Sequence, residues 1–194
     1  MIAGCKHYDR DQVEAICEGK GYDAAATYDP KAAPTGKYPM AMVESWAHSK
    51  KWTLNTTKPF QAATDAPSAE NYKDVALAFC VEQQPGPFDR DCDMDSFNST
   101  IDLNGAEPKV DVKKAAGGAK VIKAYASHYI LTMREAKTGK PLATKAIDVP
   151  VKECPTVVLG DDRNDYVEIS EAQLLEFAAP LLPKSVAARL GPAE

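Results

Sequence analysis

The sequence predicts a mainly β domain, sandwich-like, or an α+β domain, with antiparallel strands, a short N-terminal helix and a C-terminal helix. Between residues 37 and 149, short apolar or alternating segments are separated by turns rich in proline and glycine, as is typical of strands. Helix-start signals lie near the two ends of the chain. Strand-rich chains whose helices are segregated to the ends favour these two classes.

Composition narrows the function classes. The 194 residues carry 23 Lys+Arg against 28 Asp+Glu, a formal net charge of -5. An acidic chain of this kind argues against nucleic acid as a partner, because phosphates attract basic surfaces. The apolar fraction of 44% is too high for wholesale disorder. No apolar run approaches the roughly 18 residues that a membrane-spanning helix needs.

Three segments are expected along the chain. Residues 1–36 form an N-terminal anchor segment with a short helix and a linker, residues 37–169 a β-rich body, and residues 170–194 a helical segment packed on the body. Asp11 followed by Glu14 resembles a capping box and predicts that the first helix begins there. Ser170 followed by Gln173 predicts the start of the C-terminal helix in the same way.

Besides the Asp-rich return segment after the predicted hairpin, the body is predicted to contain seven strands, with residues 56–72 as a long loop between the second and the third. The expected strands are Tyr38–Glu44, Lys51–Asn55, Val75–Val81, Ser99–Leu103, Lys109–Lys113, Lys120–Glu135 and Leu142–Val149.

The chain has five cysteines, of which Cys80 and Cys92 lie symmetrically about Gly86 in a Pro-Gly-Pro sequence. A Pro-Gly-Pro turn predicts a hairpin that brings these two cysteines face to face. We therefore expect the disulfide Cys80–Cys92 and, from the remaining pair, Cys17–Cys154. A metal site is the competing use, but the cysteines and histidines lack the close spacings that zinc sites use.

The fifth cysteine, Cys5, follows Ile2-Ala3-Gly4, which resembles the lipobox of bacterial lipoproteins. In such proteins this cysteine is lipidated once the preceding segment has been removed. The charged and apolar regions of a signal peptide are missing, so an ordinary cysteine is the alternative. Lipidation at Cys5 predicts a membrane partner reached through an N-terminal lipid anchor, and an extracytoplasmic location that agrees with paired cysteines.

A set of short motifs extends this expectation. Ala24–Pro30, Lys37-Tyr38-Pro39, the predicted Cys80/Cys92 hairpin, Ala136-Lys137-Thr138-Gly139 and Cys154-Pro155 occur in this order. Together they resemble uncharacterised ectodomains of bacterial membrane-anchored or lipid-anchored envelope proteins. The resemblance covers roughly residues 24 to 160 and implies an envelope location, and it brings no catalytic residues with it.

Four carboxylates at every second residue, Asp89, Asp91, Asp93 and Asp95, are the candidate calcium ligands. The glycine and glutamate that an EF-hand loop needs are missing, so an EF-hand is excluded. In a strand the four side chains would share one face, which is also what a solvated return strand presents. We expect the solvated strand, and hence no metal or cofactor, with calcium as the alternative.

Trp46, His48 and Trp52 are the candidate partner-binding residues, since an exposed aromatic patch of this kind binds proteins or sugars. The alternative is that both tryptophans pack into the core. No catalytic residues are predicted, because the chain lacks a nucleophile elbow and a glycine-rich phosphate loop. His128 lies mid-strand, where a hydrogen-bonded structural histidine is expected.

The sequence thus favours a non-enzymatic, extracytoplasmic structural or partner-binding domain of a cell-envelope lipoprotein, with protein partners. A calcium-dependent binding module is the first alternative. A hydrolase with an acid–base pair that only spatial proximity would reveal is the second.

Overall fold

The structure is a computed structural model that describes residues 5–32, 38–47, 49–55, 64–65, 72–94, 97–102, 109–114, 120–154 and 164–188. For residues 5–8, 64–65, 93–94, 97–102, 109–114, 120 and 164–165 it describes the backbone alone. The strands in this part of the chain are β1 Tyr38–Ser45, β2 Trp52–Asn55, β3 Thr64–Asp65, β4 Leu77–Met94, β5 Phe97–Asp102, β6 Lys109–Lys114, β7 Lys120–Glu135, β8 Pro141–Val149 and β9 Asn164–Tyr166. The α-helices are α1 Cys5–Ala15, α2 Glu171–Ala178 and α3 Lys184–Ala187, and single 3-10 turns span Ile16–Glu18, Tyr72–Asp74 and Ala179–Leu181.

Seven strands form one sheet along the path β2–β1–β4–β7–β8, with β3 paired to β1 and β9 paired to β7. Strands β5 and β6 form a separate antiparallel pair. The larger sheet is mixed, because β1 is antiparallel to β2 but parallel to β3 and β4, and β9 is parallel to β7. The predicted class, mainly β or α+β with a helix near each end, is confirmed; the expected antiparallel pairing holds for only part of the sheet.

Helix α1 begins six residues earlier than expected, at Cys5 rather than at Asp11. The predicted capping box at Asp11 is therefore wrong, and Glu14 has a different role in the helix interior. Its Oε1 accepts hydrogen bonds from Arg10 Nε at 2.9 Å and from the backbone N–H of Leu54 at 3.0 Å. The apolar face of the helix is confirmed, since Val13 and Ile16 are completely buried.

Helix α2 begins as predicted at the Ser170 cap. Ser170 Oγ accepts the backbone N–H of Gln173 at 3.3 Å, and Gln173 Oε1 accepts the backbone N–H of Ser170 at 3.2 Å. This reciprocal pair is a capping box and satisfies N–H groups that the first helical turn leaves without partners. The helix packs Phe177 against Phe79 of β4, with ring centroids 5.6 Å apart.

The predicted hairpin at Gly86 is wrong, because β4 runs without interruption from Leu77 to Met94 through Pro85-Gly86-Pro87. Proline fixes φ near −65°, which an extended strand tolerates wherever no ladder hydrogen bond is required from its nitrogen. The parallel pairing with β1 ends opposite Glu82, just before the first proline. Asp89 and Asp91 therefore lie on the same strand as Cys80 and not on a returning one.

The four cysteines expected to be bonded are all bonded, but the predicted pairing is wrong. The disulfides are Cys17–Cys80, with Cα atoms 5.5 Å apart, and Cys92–Cys154, with Cα atoms 5.7 Å apart. Cys80 and Cys92 lie on one continuous strand, Leu77–Met94, and therefore do not face each other across a turn. Two disulfides indicate a non-reducing, extracytoplasmic environment.

The chain divides into two compact units. The first comprises Met1–Pro85, His128–Val149 and Glu168–Glu194, and the second Gly86–Ser127 and Pro150–Val167. The first unit has a core that includes Val13, Ile16, Val43, Val75 and the Cys17–Cys80 disulfide. The second has a smaller core of Cys92, Ile122, Ala124 and Val151. The three-segment division expected from the sequence stays a prediction.

Within the described ranges, no helix combines the length and the apolar character that crossing a bilayer requires.

Candidate binding site beside the β1–β2 turn

The candidate site is built on the turn that joins β1 to β2. Ser45, the last residue of β1, pairs with Trp52, the first residue of β2. Between them the carbonyl oxygen of Trp46 accepts the backbone N–H groups of Ser49 at 3.0 Å and Lys50 at 3.1 Å. Lys50 has a φ of 48°, in the left-handed region that non-glycine residues seldom adopt. This turn places the two tryptophans at one end of the sheet.

Both tryptophans are half-buried, so each is divided between core and solvent. Trp52 packs partly against the core of the first unit, as the alternative interpretation of the sequence expected. Trp46 and Trp52 nevertheless line one open groove. His48, the third residue of the predicted patch, lies outside the described residues.

We name this open groove, of about 590 Å³, the tryptophan groove. Its polar residues come from the turn and from β4, and its composition mixes aromatic, charged and amide side chains. Such a mixture is typical of surfaces that bind ligands or partner segments. The lining residues are Cys17, Ser45, Trp46, Ala47, Lys50, Trp52, Glu82, Gln83, Gln84 and Pro85.

The Cys17–Cys80 disulfide forms part of this site. Cys17 lines the tryptophan groove and is bonded to Cys80 of β4, two residues before Glu82, which also lines the groove. The disulfide thereby holds the 3-10 turn Ile16–Glu18 beside the groove. Sequence reasoning missed this role because it assigned Cys17 to Cys154.

A smaller cavity of about 90 Å³ adjoins the groove, with which it shares Ser45, Trp46 and Gln83. We name it the carboxylate cavity, since two glutamates lie in its lining. Its residues are Glu44, Ser45, Trp46, Val81, Gln83, Tyr129, Glu168, Ile169 and Leu174.

A buried hydrogen-bond network positions Tyr129 at this cavity. The phenol oxygen of Tyr129 accepts Gln83 Nε2 at 2.9 Å and the backbone N–H of Ile169 at 3.2 Å. Gln83 Oε1 accepts the backbone N–H of Ala47 at 3.4 Å, which connects the network to the β1–β2 turn. Burial of Tyr129 raises its pKa to about 12, despite the hydrogen bonds from Ile169 and Gln83, so Tyr129 is a neutral phenol at physiological pH.

Glu44 is the perturbed acid of the cavity. Burial raises the pKa of Glu44 above its usual 4.5, a hydrogen bond from the Asn55 side chain acts in the opposite direction, and the negative charge of Glu168 raises it further. A carboxyl group with a raised pKa in a cleft is a candidate for binding or acid–base chemistry.

Sequence reasoning did not identify Glu44, Gln83, Tyr129 or Glu168 as site residues. Glu44 and Gln83 each follow an apolar run, and a polar residue at such a position is the only local signal. Tyr129 and Glu168 come from distant parts of the chain, and the topology alone brings them together.

The structure describes the side chains of two of the four candidate calcium ligands, Asp89 and Asp91. Asp89 and Asp91 are exposed on β4, and Arg90 Nε donates a hydrogen bond to Asp89. The structure describes only the backbone of Asp93, and Asp95 lies outside the described residues. Among the side chains that the structure describes, no three His, Cys, Asp or Glu residues cluster closely enough to hold a metal ion. The choice between calcium and solvent stays a prediction.

Two further residues singled out from the sequence, His128 and Cys5, lie in described elements of the structure. His128 lies in β7 as expected and its Nδ1 is 2.7 Å from Asp148 Oδ1, a hydrogen-bonded pair on the surface. Cys5 is the first residue of α1, and the structure describes only its backbone. Lipidation of Cys5 stays a prediction.

Comparison with protein families, with curated proteins and with solved structures gives no match for this chain.

Proposed function

We propose that the chain is a non-enzymatic, extracytoplasmic partner-binding domain of a cell-envelope protein, and that a protein partner binds in the tryptophan groove. The observation that carries this proposal is that Trp46 and Trp52 line the same open groove. Tryptophan is among the residues most enriched at the centres of protein interfaces.

The composition of the groove supports a specific partner over general hydrophobic association. Lys50 and Glu82 supply charges of both signs, and Gln83 and Gln84 supply amides. Polar groups of this kind orient a partner while aromatic rings supply most of the binding free energy. The buried Gln83–Tyr129 hydrogen bond and the Cys17–Cys80 disulfide keep the groove preformed, which lowers the entropic cost of binding.

The envelope location has two supports: the disulfides and the lipobox-like sequence ending at Cys5. In this proposal a lipid on Cys5 attaches the domain to a membrane. Mass spectrometry of the protein purified from its source tests the anchor. A diacylated Cys5 at the mature N-terminus is expected, and an unmodified Cys5 contradicts the anchor while leaving the groove untouched.

Partner binding is tested by cross-linking in the source cells. Wild-type protein is compared with Trp46→Ala, Trp52→Ala and the control Phe88→Ala, which removes an aromatic ring that is 51% exposed in the second unit. We expect one cross-linked partner that both tryptophan variants lose and the control retains. Loss in all three variants, or in none, contradicts binding in the groove.

A second candidate is the hydrolase with an acid–base pair, and one observation favours it. Glu44, whose pKa is raised, and Glu168 line the same cavity beside the groove. A carboxyl with a raised pKa beside a second carboxyl is a common acid–base arrangement. Turnover of chromogenic glycosides or esters by wild-type protein, abolished in Glu44→Gln, would establish this activity; turnover equal in both would attribute it to a contaminant.

A further inference from the structure

The carboxylate cavity has the chemistry of a cation-binding pocket. Among the described residues that line it, Glu44 and Glu168 are carboxylates and none is Lys, Arg or His. The negative charge of Glu168, which is exposed, acts on the half-buried Glu44, so both carboxylates would attract a cation placed in the cavity. Burial raises the pKa of Glu44, a hydrogen bond from Asn55 lowers it, and the charge of Glu168 raises it further, so the two carboxylates of the cavity interact with each other.

The other walls add affinity for a particular kind of cation. Trp46 and Tyr129 contribute aromatic rings, which attract ammonium and alkylammonium groups through cation–π interactions. The phenol oxygen of Tyr129 already accepts two N–H groups, from Gln83 and Ile169, so the ring rather than the oxygen of Tyr129 would contact a cation. The cavity therefore combines aromatic walls with carboxylate oxygens, and the part of its lining that the structure describes contains no cationic side chain.

The volume and the position of the cavity restrict which chemical groups it can bind. A volume of about 90 Å³ corresponds to about three water molecules, which is room for an ammonium head group but not for a whole ligand. The cavity shares Ser45, Trp46 and Gln83 with the tryptophan groove, so the rest of a bound molecule has a place to lie. The apolar Val81 and Leu174 suit the methylene groups next to the charge.

We propose that the carboxylate cavity binds the alkylammonium group of a ligand whose remainder lies in the tryptophan groove, with Trp46 and Tyr129 as aromatic walls and Glu44 and Glu168 as counter-ions. This inference rests on the proposed function, since it names the chemical group that the partner presents. A lysine side chain of a protein partner has this chemistry, and so has a free small amine.

The test uses n-butylammonium as the probe of the cavity and n-butanol as its neutral analogue. Binding is followed by the NMR signals of the Trp46 indole and the Tyr129 ring in the full chain. Saturable binding of butylammonium, absent for butanol, is expected. Equal binding of both probes, or no saturable binding, overturns the proposal, as does displacement by equimolar potassium, which would indicate a simple inorganic cation site.

Substitutions distinguish the loss of a carboxylate charge from the loss of the folded structure. Glu44→Gln and Glu168→Gln are each expected to weaken butylammonium binding about tenfold or more, because hydrogen bonds to charged groups contribute on that scale. The matched control is Glu153→Gln, which removes an exposed carboxylate that lines neither the cavity nor the groove and should leave binding within about twofold. A conserved backbone NMR spectrum shows that each variant is folded. An equal loss in the control contradicts the assignment to the cavity.

The source of the ammonium group is resolved by a second probe, a lysine residue blocked at both ends. Tighter binding than butylammonium, lost on Trp52→Phe, points to a lysine of a protein partner; equal binding points to a small amine. This result also separates the two proposals. If butylammonium binds but no partner is cross-linked, the alkylammonium site is supported and the protein partner is rejected. If a partner is cross-linked through the groove but butylammonium does not bind, the partner is supported and the alkylammonium site is rejected.

Discussion

Gly86 of β4 lies directly against Ala126 of β7. A Cβ atom added at Gly86 would be 2.7 Å from the carbonyl carbon of Ala126, well inside the contact distance that any side chain tolerates. Backbone rather than a flexible side chain occupies this space. Glycine is therefore required here because two strands approach each other closely, and not because the chain turns.

We expect Gly86→Ala to lower the free energy of unfolding by about 1–3 kcal/mol, the usual cost of forcing extra volume into a packed site. Chemical denaturation of the second unit, followed by the fluorescence of its tyrosines, measures the change. Asp91→Ala, at an exposed position of the same strand, is the control and should stay within about 0.5 kcal/mol of wild type. A Gly86→Ala protein as stable as this control would contradict the close approach.

The same contact explains why the hairpin prediction failed. Pro-Gly-Pro is a strong turn signal when only local geometry is considered. Its residues also fit an extended strand where the prolines need no ladder partner and the glycine faces a neighbouring backbone. Which outcome applies depends on Ala126, 40 residues further along the chain. By contrast, Ser170 and Gln173 act within one helical turn, and there the prediction was confirmed.

The disulfide pairing is checked directly by peptide mapping. Trypsin cleaves after Arg90, which separates Cys80 from Cys92, so the pairs Cys17–Cys80 and Cys92–Cys154 should appear as two distinct cross-linked peptides under non-reducing conditions. A peptide joining Cys80 to Cys92 would contradict the continuous β4 strand. Four cysteines allow three pairings, and the sequence alone does not choose among them.

Loss of either disulfide should destabilise the protein by a similar amount. The bonds close segments of 63 and 62 residues, for which the chain-entropy estimate is about 4 kcal/mol each. We expect Cys17→Ala with Cys80→Ala to weaken partner binding as well, because Cys17 lines the tryptophan groove. Cys92→Ala with Cys154→Ala should affect stability alone, and weaker binding in that variant would contradict this division.

The candidate site shows the same limit of local reasoning. Trp46 and Trp52 were identified because both lie near one predicted turn, and the structure places them in one groove. Glu44, Tyr129 and Glu168 share a cavity only because β1, β7 and the segment before α2 converge. A mixed sheet with a parallel β1–β4 pair produces that convergence, and no sequence periodicity specifies it.

The raised pKa of Glu44 predicts how stability depends on pH. Since this pKa is higher in the folded than in the unfolded chain, the folded state binds more protons in the range above 4.5. The free energy of unfolding therefore falls as the pH rises through that range. Glu44→Gln keeps the shape of the side chain and removes the titration.

We expect Glu44→Gln to be more stable than wild type at neutral pH and equal to it well below pH 4.5, where the wild-type carboxyl is protonated in both states. Thermal unfolding across this range, with Glu82→Gln as the control, measures the difference. A difference that does not change with pH would show that packing, and not the charge of Glu44, is responsible.

The capping box predicts a further loss. Ser170→Ala removes the oxygen that accepts the Gln173 N–H, and we expect the protein to lose about 1 kcal/mol of stability. Ser170→Asp should retain most of the cap, because aspartate accepts the same hydrogen bond at a helix N-terminus. Calorimetric unfolding compares the two variants, and equal losses would contradict a capping role for this side chain.

Tyr129→Phe should be the most informative substitution in the network. It removes one oxygen and leaves the Gln83 amide and the Ile169 N–H without that acceptor. An unsatisfied buried donor costs about 1–3 kcal/mol, so denaturation should reveal a loss in that range. Tyr125→Phe, at a half-buried tyrosine whose ring contacts Phe88 and Tyr166, is the matched control and should change stability far less.

Combining Tyr129→Phe with Gln83→Met removes the amide as well as its acceptor, and stability should partly return, because an apolar pair avoids one of the two unsatisfied donors. In the double variant the backbone N–H of Ile169 still lacks the Tyr129 oxygen and that of Ala47 lacks the Gln83 oxygen, so full recovery is not expected. Additive losses in this double-mutant cycle would contradict direct coupling of Gln83 to Tyr129, and with it the preformed wall that the carboxylate cavity and the tryptophan groove share.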